Sequence, residues 1–221
     1  MKNTSIFLLP LAASLNAGEL VPAQVPASAK WLLHANFDAM RASETGKAVF
    51  VRIEADHGAK LRAFKRMFPI HLLNDVHGVT LCGDGKPDHA VVLIHGGFDR
   101  PHIEDVMKAA DACSEAAYEG MTILTWKDKG GIQHAAFVGR DLLVFSRQDG
   151  LLRQEWLTLK TNAPAPADPF FAAAGGKPLI AACAKLAEIG MPADSARILR
   201  RAHPANPRPH DPSNREWTLI E

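Results

Sequence analysis

The 221-residue chain has little of what usually announces a function. Its three cysteines, Cys82, Cys113 and Cys183, are widely spaced and odd in number. That excludes a disulfide scaffold and the C-x-x-C spacing of zinc and redox sites. Cys82 with Cys113 is the candidate bridge, but the apolar surroundings of all three favour buried thiols. No charge of one sign dominates, with 25 Lys and Arg against 24 Asp and Glu. A nucleic-acid partner is therefore not expected, because such proteins concentrate cations to displace counterions from phosphate. The basic runs at 60–66 and 197–201 are read as solvated helix faces. No segment approaches the roughly 20 apolar residues of a membrane span. Phosphate-loop, dinucleotide, nucleophile-elbow, zinc-protease and calcium-loop patterns are missing as well, so no cofactor is expected.

What is present begins with MKNTSIFLLPLAASLNAGE, where Lys2 precedes an apolar run from Ile6 to Leu15 and small residues end at Ala17. This is the order of a secretory leader, predicted to occupy residues 1–17 with cleavage after Ala17, and it makes the protein periplasmic or secreted. Its removal takes away Lys2 and leaves 24 bases against 24 acids. The remainder, in a chain 47% hydrophobic and 22% charged, has the profile of a globular domain with a sizeable core.

The domain expected over residues 26–160 opens with a strand, Lys30 to about Phe37. Ser43 then offers an N-cap, and Val49, Ile53, His57, Leu61, Phe64 and Phe68 recur at helical spacing. One amphipathic helix is predicted, with a break at Gly58, a partly buried His57 and an end before Pro69. VHGVTLC (76–82) and HAVVLIH (89–95) flank GDGKPD as a β-hairpin. Asp99 caps a second helix with Pro101 in its first turn, and MTILTW, IQHAAFV and LLVFS read as three strands in a meander. A helix from Asp149 to about Leu159 closes the domain. The order of elements gives an α+β fold, a mostly antiparallel sheet with its helices on one face.

TNAPAPADP (161–169) reads as an extended linker. Beyond it, Lys177, Leu179 and Ala182 can be laid on Lys30, Leu32 and Ala35, and a helix-forming segment follows both stretches. Residues 170–202 are therefore expected to form a partial second strand-helix module, with an irregular tail over 203–221. KWLLHANFDAM, the hairpin DVHGVTLCG…HAVVLIHGGFD, YEGMTILTWKDKG and HAAFVGRDLLVFS together resemble an uncharacterised family of exported bacterial hypothetical proteins. The resemblance covers about Pro26 to Arg201. It implies two consecutive α/β modules, of which the second is incomplete here, and it implies no catalytic residues.

Two features bear on function. His95-Gly96-Gly97 invites comparison with an oxyanion-hole loop, but without a nucleophile elbow it is read as a strand end that releases the chain into Asp99. The histidines are the other feature. With Cys82 set opposite Asp88 in the hairpin, His77, His89 and His95 share one face and His77 and His95 become candidate metal ligands, with His34 and His134 able to join. The residues favour a non-enzymatic exported protein acting through a protein-protein surface. Strands apolar on both sides, such as VVLI and LLVF, ask for a cover on the sheet face away from the helices, either the incomplete second module or another chain, a protein partner or a second copy. The alternative is a small-molecule or metal-binding protein that uses the histidine-bearing face.

Overall fold

The computed structural model describes residues 17–68, 70–110, 112–128, 131–160, 171, 178–185 and 187–189. A 3-10 turn at Pro22–Gln24 precedes β1 (Trp31–Asn36), α1 (Phe37–Ala42), α2 (Glu44–Met67), α3 (Leu72–Asp75), β2 (Val76–Gly83) and β3 (Ala90–Gly96). Then come α4 (Arg100–Lys108), β4 (Ser114–Tyr118), β5 (Met121–Asp128), β6 (Gly131–Val138), β7 (Leu142–Ser146), α5 (Asp149–Lys160) and β8 (Ile180–Ala184). The fold is α+β, with one eight-stranded antiparallel sheet in the order β4-β5-β6-β7-β3-β2-β1-β8. No helix among the described residues is long and apolar enough to cross a membrane.

The helix starts follow from their caps. Asn36 ends β1 and accepts from Ala39 N at 2.9 Å, Ser43 accepts from Gly46 N at 3.0 Å, and Asp99 accepts from His102 N. The predicted break in α2 does not occur, because Gly58 lies on a helix held at both ends and loses only the roughly 1 kcal/mol by which glycine trails alanine. His57 is exposed rather than partly buried. Only Gly46 and Phe50 of α2 are buried, so most of the helix projects from the core it caps.

The helices also divide between the two faces of the sheet instead of sharing one. Leu151, Leu152, Trp156 and Leu159 of α5 pack with Val91, Leu93 and Val144 on one face, together with Leu20, Val25 and Ala29 of the leading segment. On the other face, Ile103 and Met107 of α4 pack with Phe64, Leu124, Phe137 and Leu143. Adjacent residues of β7 enter opposite cores, as the two-residue period of a strand requires.

A fourth strand follows α4 where three were expected. The additional strand, β4, pairs with β5 from Tyr118↔Met121 to Ser114↔Thr125. Its turn has Glu119 at φ 49° and Gly120 at φ 86°, the left-handed pair of a two-residue hairpin. SEAAY is an exposed edge strand without apolar alternation, so the periodicity that marks the others is missing.

The strand assigned to a second module, β8, is hydrogen-bonded to the open edge of β1, with Leu33↔Ala182 and Ala35↔Ile180 in register. The expected linker, the helix after β8 and the tail lie largely or wholly outside the described residues.

Candidate functional site

The hairpin register differs from the expected one by three residues: Cys82 lies opposite Val91, Leu81 opposite Val92 and Val79 opposite Ile94. An odd slip exchanges faces. The cause is the six-residue loop 84–89. Asp84 accepts from Lys86 N at 3.0 Å and pairs with the His89 ring at 3.2 Å, while Asp88 takes a left-handed φ of 59°. His89 therefore belongs to the loop, at the far end of the hairpin from His77 and His95.

His77 and His95 are nevertheless brought near each other, by a different route. Val76 pairs with Gly96 and Gly78 with His95, which leaves His77 as the extra residue of a bulge. Its Nδ1 turns to Asp38, 2.9 Å from Oδ1 and 3.1 Å from Oδ2. Arg41 holds the same carboxylate and donates to the carbonyls of Leu73 and Val76 at 2.8 and 2.9 Å. Burial acts to raise the Asp38 carboxyl, but the bonds and charges of His77 and Arg41 outweigh it and hold the group below the ordinary carboxylate range.

His34 joins the group and His134 does not; the latter bonds Thr125 on β5. His34 is 1% exposed, and both ring nitrogens are engaged, Nδ1 with Thr80 Oγ1 at 2.9 Å and Nε2 with the Gly18 carbonyl at 3.1 Å. A carbonyl only accepts, so Nε2 carries the proton and Nδ1 accepts from the hydroxyl. His95 Nε2 meets the Gln24 amide oxygen at 3.0 Å. Burial lowers the basicity of both rings, and for His95 the His34 charge adds to that effect. Asp38, Gln24, Gly18, Thr80 and Asn36 were missed in the sequence. For Gly18 alone there was a signal, the glycine at position 78 inside a strand, which marks a close backbone approach: a Cβ there would lie 2.8 Å from the Gly18 carbonyl oxygen.

The chemistry open to this cluster is narrow. His77 with Asp38 has the orientation of a general base. Among the described residues, no serine, threonine or cysteine side chain is hydrogen-bonded to it. No group of three or more His, Cys, Asp or Glu among them could hold a metal ion. Gly96 and Gly97 are the strand end, and their N–H groups donate at 2.9 Å to the carbonyls of Asp141 and Asp75. An oxyanion hole needs such donors free.

The same covered face carries a second polar feature. Glu155 of α5 is fully buried, neither carboxyl oxygen has a hydrogen-bond partner, and burial pushes its pKa up to about 8. The buried thiol of Cys82 is raised as well, first by burial and then by the Glu155 charge. Cys82, Cys113 and Cys183 are all free thiols. A cleft of about 250 Å3 lies elsewhere, between α2 and α3, lined by Glu54, Arg62, Lys65 and His71 with Leu61 and Leu72.

The opposite side of β1, β2 and β3 is different in kind. Leu33 is 41% exposed and Ile180 57% exposed, while Trp31, Leu81, Val92 and Ile94 on the same side are half-buried. They occupy alternate positions on neighbouring strands and form one apolar surface. Among the described residues of that side, α3 lies against β2 and α4 against β5.

No protein-family model matches the chain. No curated protein matches it. Among solved structures it is similar to TP0453. In crystal form III of that protein the TM-score is 0.47 at 12% identity, over 74% of this chain and 62% of that one. In crystal form I the values are 0.43 and 12%, over 73% and 61%. The chain thus spans less than two thirds of the length of these structures.

Proposed function

We propose that this is an exported, non-enzymatic protein that works by association through the apolar side of β8, β1, β2 and β3, and that the first partner of this surface is a second copy of the chain. One observation carries the reading. On these strands the usual pattern is inverted: the covered face holds His34, Asn36, Thr80 and His95, while the open face holds Trp31, Leu33, Leu81, Val92, Ile94 and Ile180. A sheet face meant for water alternates the other way, polar outward. Contiguous exposed apolar area of this sort marks an interaction site. None of these open-face residues is charged, so the surface selects its occupant by shape and apolar area, and a twofold axis satisfies that with an identical copy. The metal or small-molecule alternative draws less support, since His34 has both ring nitrogens occupied and His77 and His95 one each.

Sedimentation equilibrium of the chain beginning at Gly18, beside Leu33→Glu, tests the proposal. The expected result is a reversible dimer that the substitution converts to a folded monomer. A wild type that stays monomeric at every concentration overturns the reading, and so does a variant that dimerises as tightly as wild type.

A further inference from the structure

Gly18 is the residue that the leader reading makes the first of the processed protein, and it is built into the histidine cluster. It is buried next to an exposed Ala17. Its carbonyl accepts from His34 Nε2 at 3.1 Å, and its backbone lies against Gly78 so closely that neither glycine has room for a side chain. A Cβ on Gly18 would collide with the His77 carbonyl oxygen and lie 2.7 Å from Asn36 Oδ1 and 3.0 Å from Asp38 Oδ2. Three oxygen acceptors and no donor are thus the nearest neighbours of that point. A backbone nitrogen is about 2.5 Å from the Cβ position on the same carbon. The Gly18 nitrogen therefore sits no more than about 5.5 Å from Asp38 Oδ2.

We propose that the α-ammonium group freed by cleavage between Ala17 and Gly18 is itself a ligand of this cluster, pairing with Asp38 and donating to the neighbouring oxygens of Asn36 and His77. Before cleavage the Gly18 nitrogen is an amide with one proton and no charge. Hydrolysis of the bond leaves Ala17 with a carboxylate and Gly18 with three N–H donors and a positive charge, which the acceptor-rich surroundings suit. Processing and completion of the fold are then coupled, and the unprocessed chain lacks one of the charges that bind its first ordered residues to β1 and β2. Glycine is required at the position, since any side chain would displace the group it must approach.

The proposal rests on the leader reading, and the two are tested apart. The mass of the protein exported by its native host addresses the leader; a start other than Gly18 overturns that reading. Docking is tested on protein made to begin at Gly18 by specific removal of a tag, compared with the same protein carrying an enzymatically installed Nα-acetyl group that leaves the lysines free, and with both forms of Asp38→Asn. The free-amine protein is expected to melt several degrees above the acetylated one. Its α-amine should titrate above the ordinary range of about 7.7 to 8.0, because the neighbouring Asp38 carboxylate favours the charged form. In Asp38→Asn the melting difference should vanish. Equal melting of the two wild-type forms, with an α-amine that titrates in the ordinary range, overturns docking. If Asp38→Asn fails to fold, the wild-type pair and the amine titration still decide the matter.

Discussion

The two sides of β1, β2 and β3 answer to different demands. On the covered side, polar groups are buried and most are matched: His34 with Thr80 and Gly18, His95 with Gln24, Asn36 with the start of α1. On the open side, apolar groups stand half in water and nothing among the described residues matches them. Burying a polar group is tolerated when it is hydrogen-bonded. A half-exposed leucine costs less, so the open side tolerates solvent until something covers it. The contrast separates a hydrogen-bonded polar cluster from an apolar surface left partly in water. Glu155 is an exception on the covered side, a buried carboxyl without a hydrogen-bond partner, as is the indole Nε1 of Trp156 beside it.

The largest expected effect breaks the covered side at that exception. Because the folded pKa of Glu155, about 8, lies above the unfolded value near 4.3, its proton stabilises the fold fully below about pH 4.3. That stability is lost as pH rises through the window, by up to about 5 kcal/mol near pH 8 at about 1.4 kcal/mol per unit. Chemical denaturation of Glu155→Gln should match wild type near pH 5 to within about 1 to 2 kcal/mol and exceed it by several at pH 8. Equal pH dependence of the two proteins would contradict the burial of this carboxyl.

Next in size is His34→Ala, which leaves a cavity and strips partners from Thr80 and Gly18. A loss of about 2 to 4 kcal/mol is expected in urea denaturation. The ring is less basic in the fold than outside it, so wild-type stability from this group is complete above about pH 6.5 and declines as pH falls. In the variant that acid-side decline should be smaller.

Asp38→Asn should cost about 1 kcal/mol, since the carboxylate is 31% exposed and solvent screens its pairs. With its folded pKa lowered, Asp38 contributes above about pH 3.9 and the contribution is lost as pH falls through the folded value. The difference between variant and wild type should thus close in acid, as read by thermal melts over pH. Smallest on stability is Leu33→Glu, expected within about 0.5 kcal/mol in the dissociated protein, as for other surface changes. A large loss there would mean that the open side is part of the core.

Most elements were legible because local chemistry and position agree in them. Ser43 and Asp99 announce helix starts, and alternating or continuous apolar runs announce β2, β3, β5, β6 and β7. β4 was not legible, since an edge strand of Ser, Glu and Ala has no face to bury. The environment of His77 could not be read from the presumed register, which would have placed it on one face with His95; it is the extra residue of a bulge, and its ring turns to Asp38. Asp38 and Gln24 approach through loop and helix geometry that no strand pattern encodes. Glu155 falls in the helical stripe of Leu151, Leu152, Trp156 and Leu159, and only the habit of placing carboxylates in water hid it.

Hydroxyl-radical footprinting over a dilution series tests the role of the open face most directly. Oxidation of Trp31, Leu33, Leu81 and Ile180 should be suppressed at high protein concentration and rise together on dilution, while His34 stays protected throughout. Equal oxidation of the four open-face residues at every concentration would contradict the association proposed for this face.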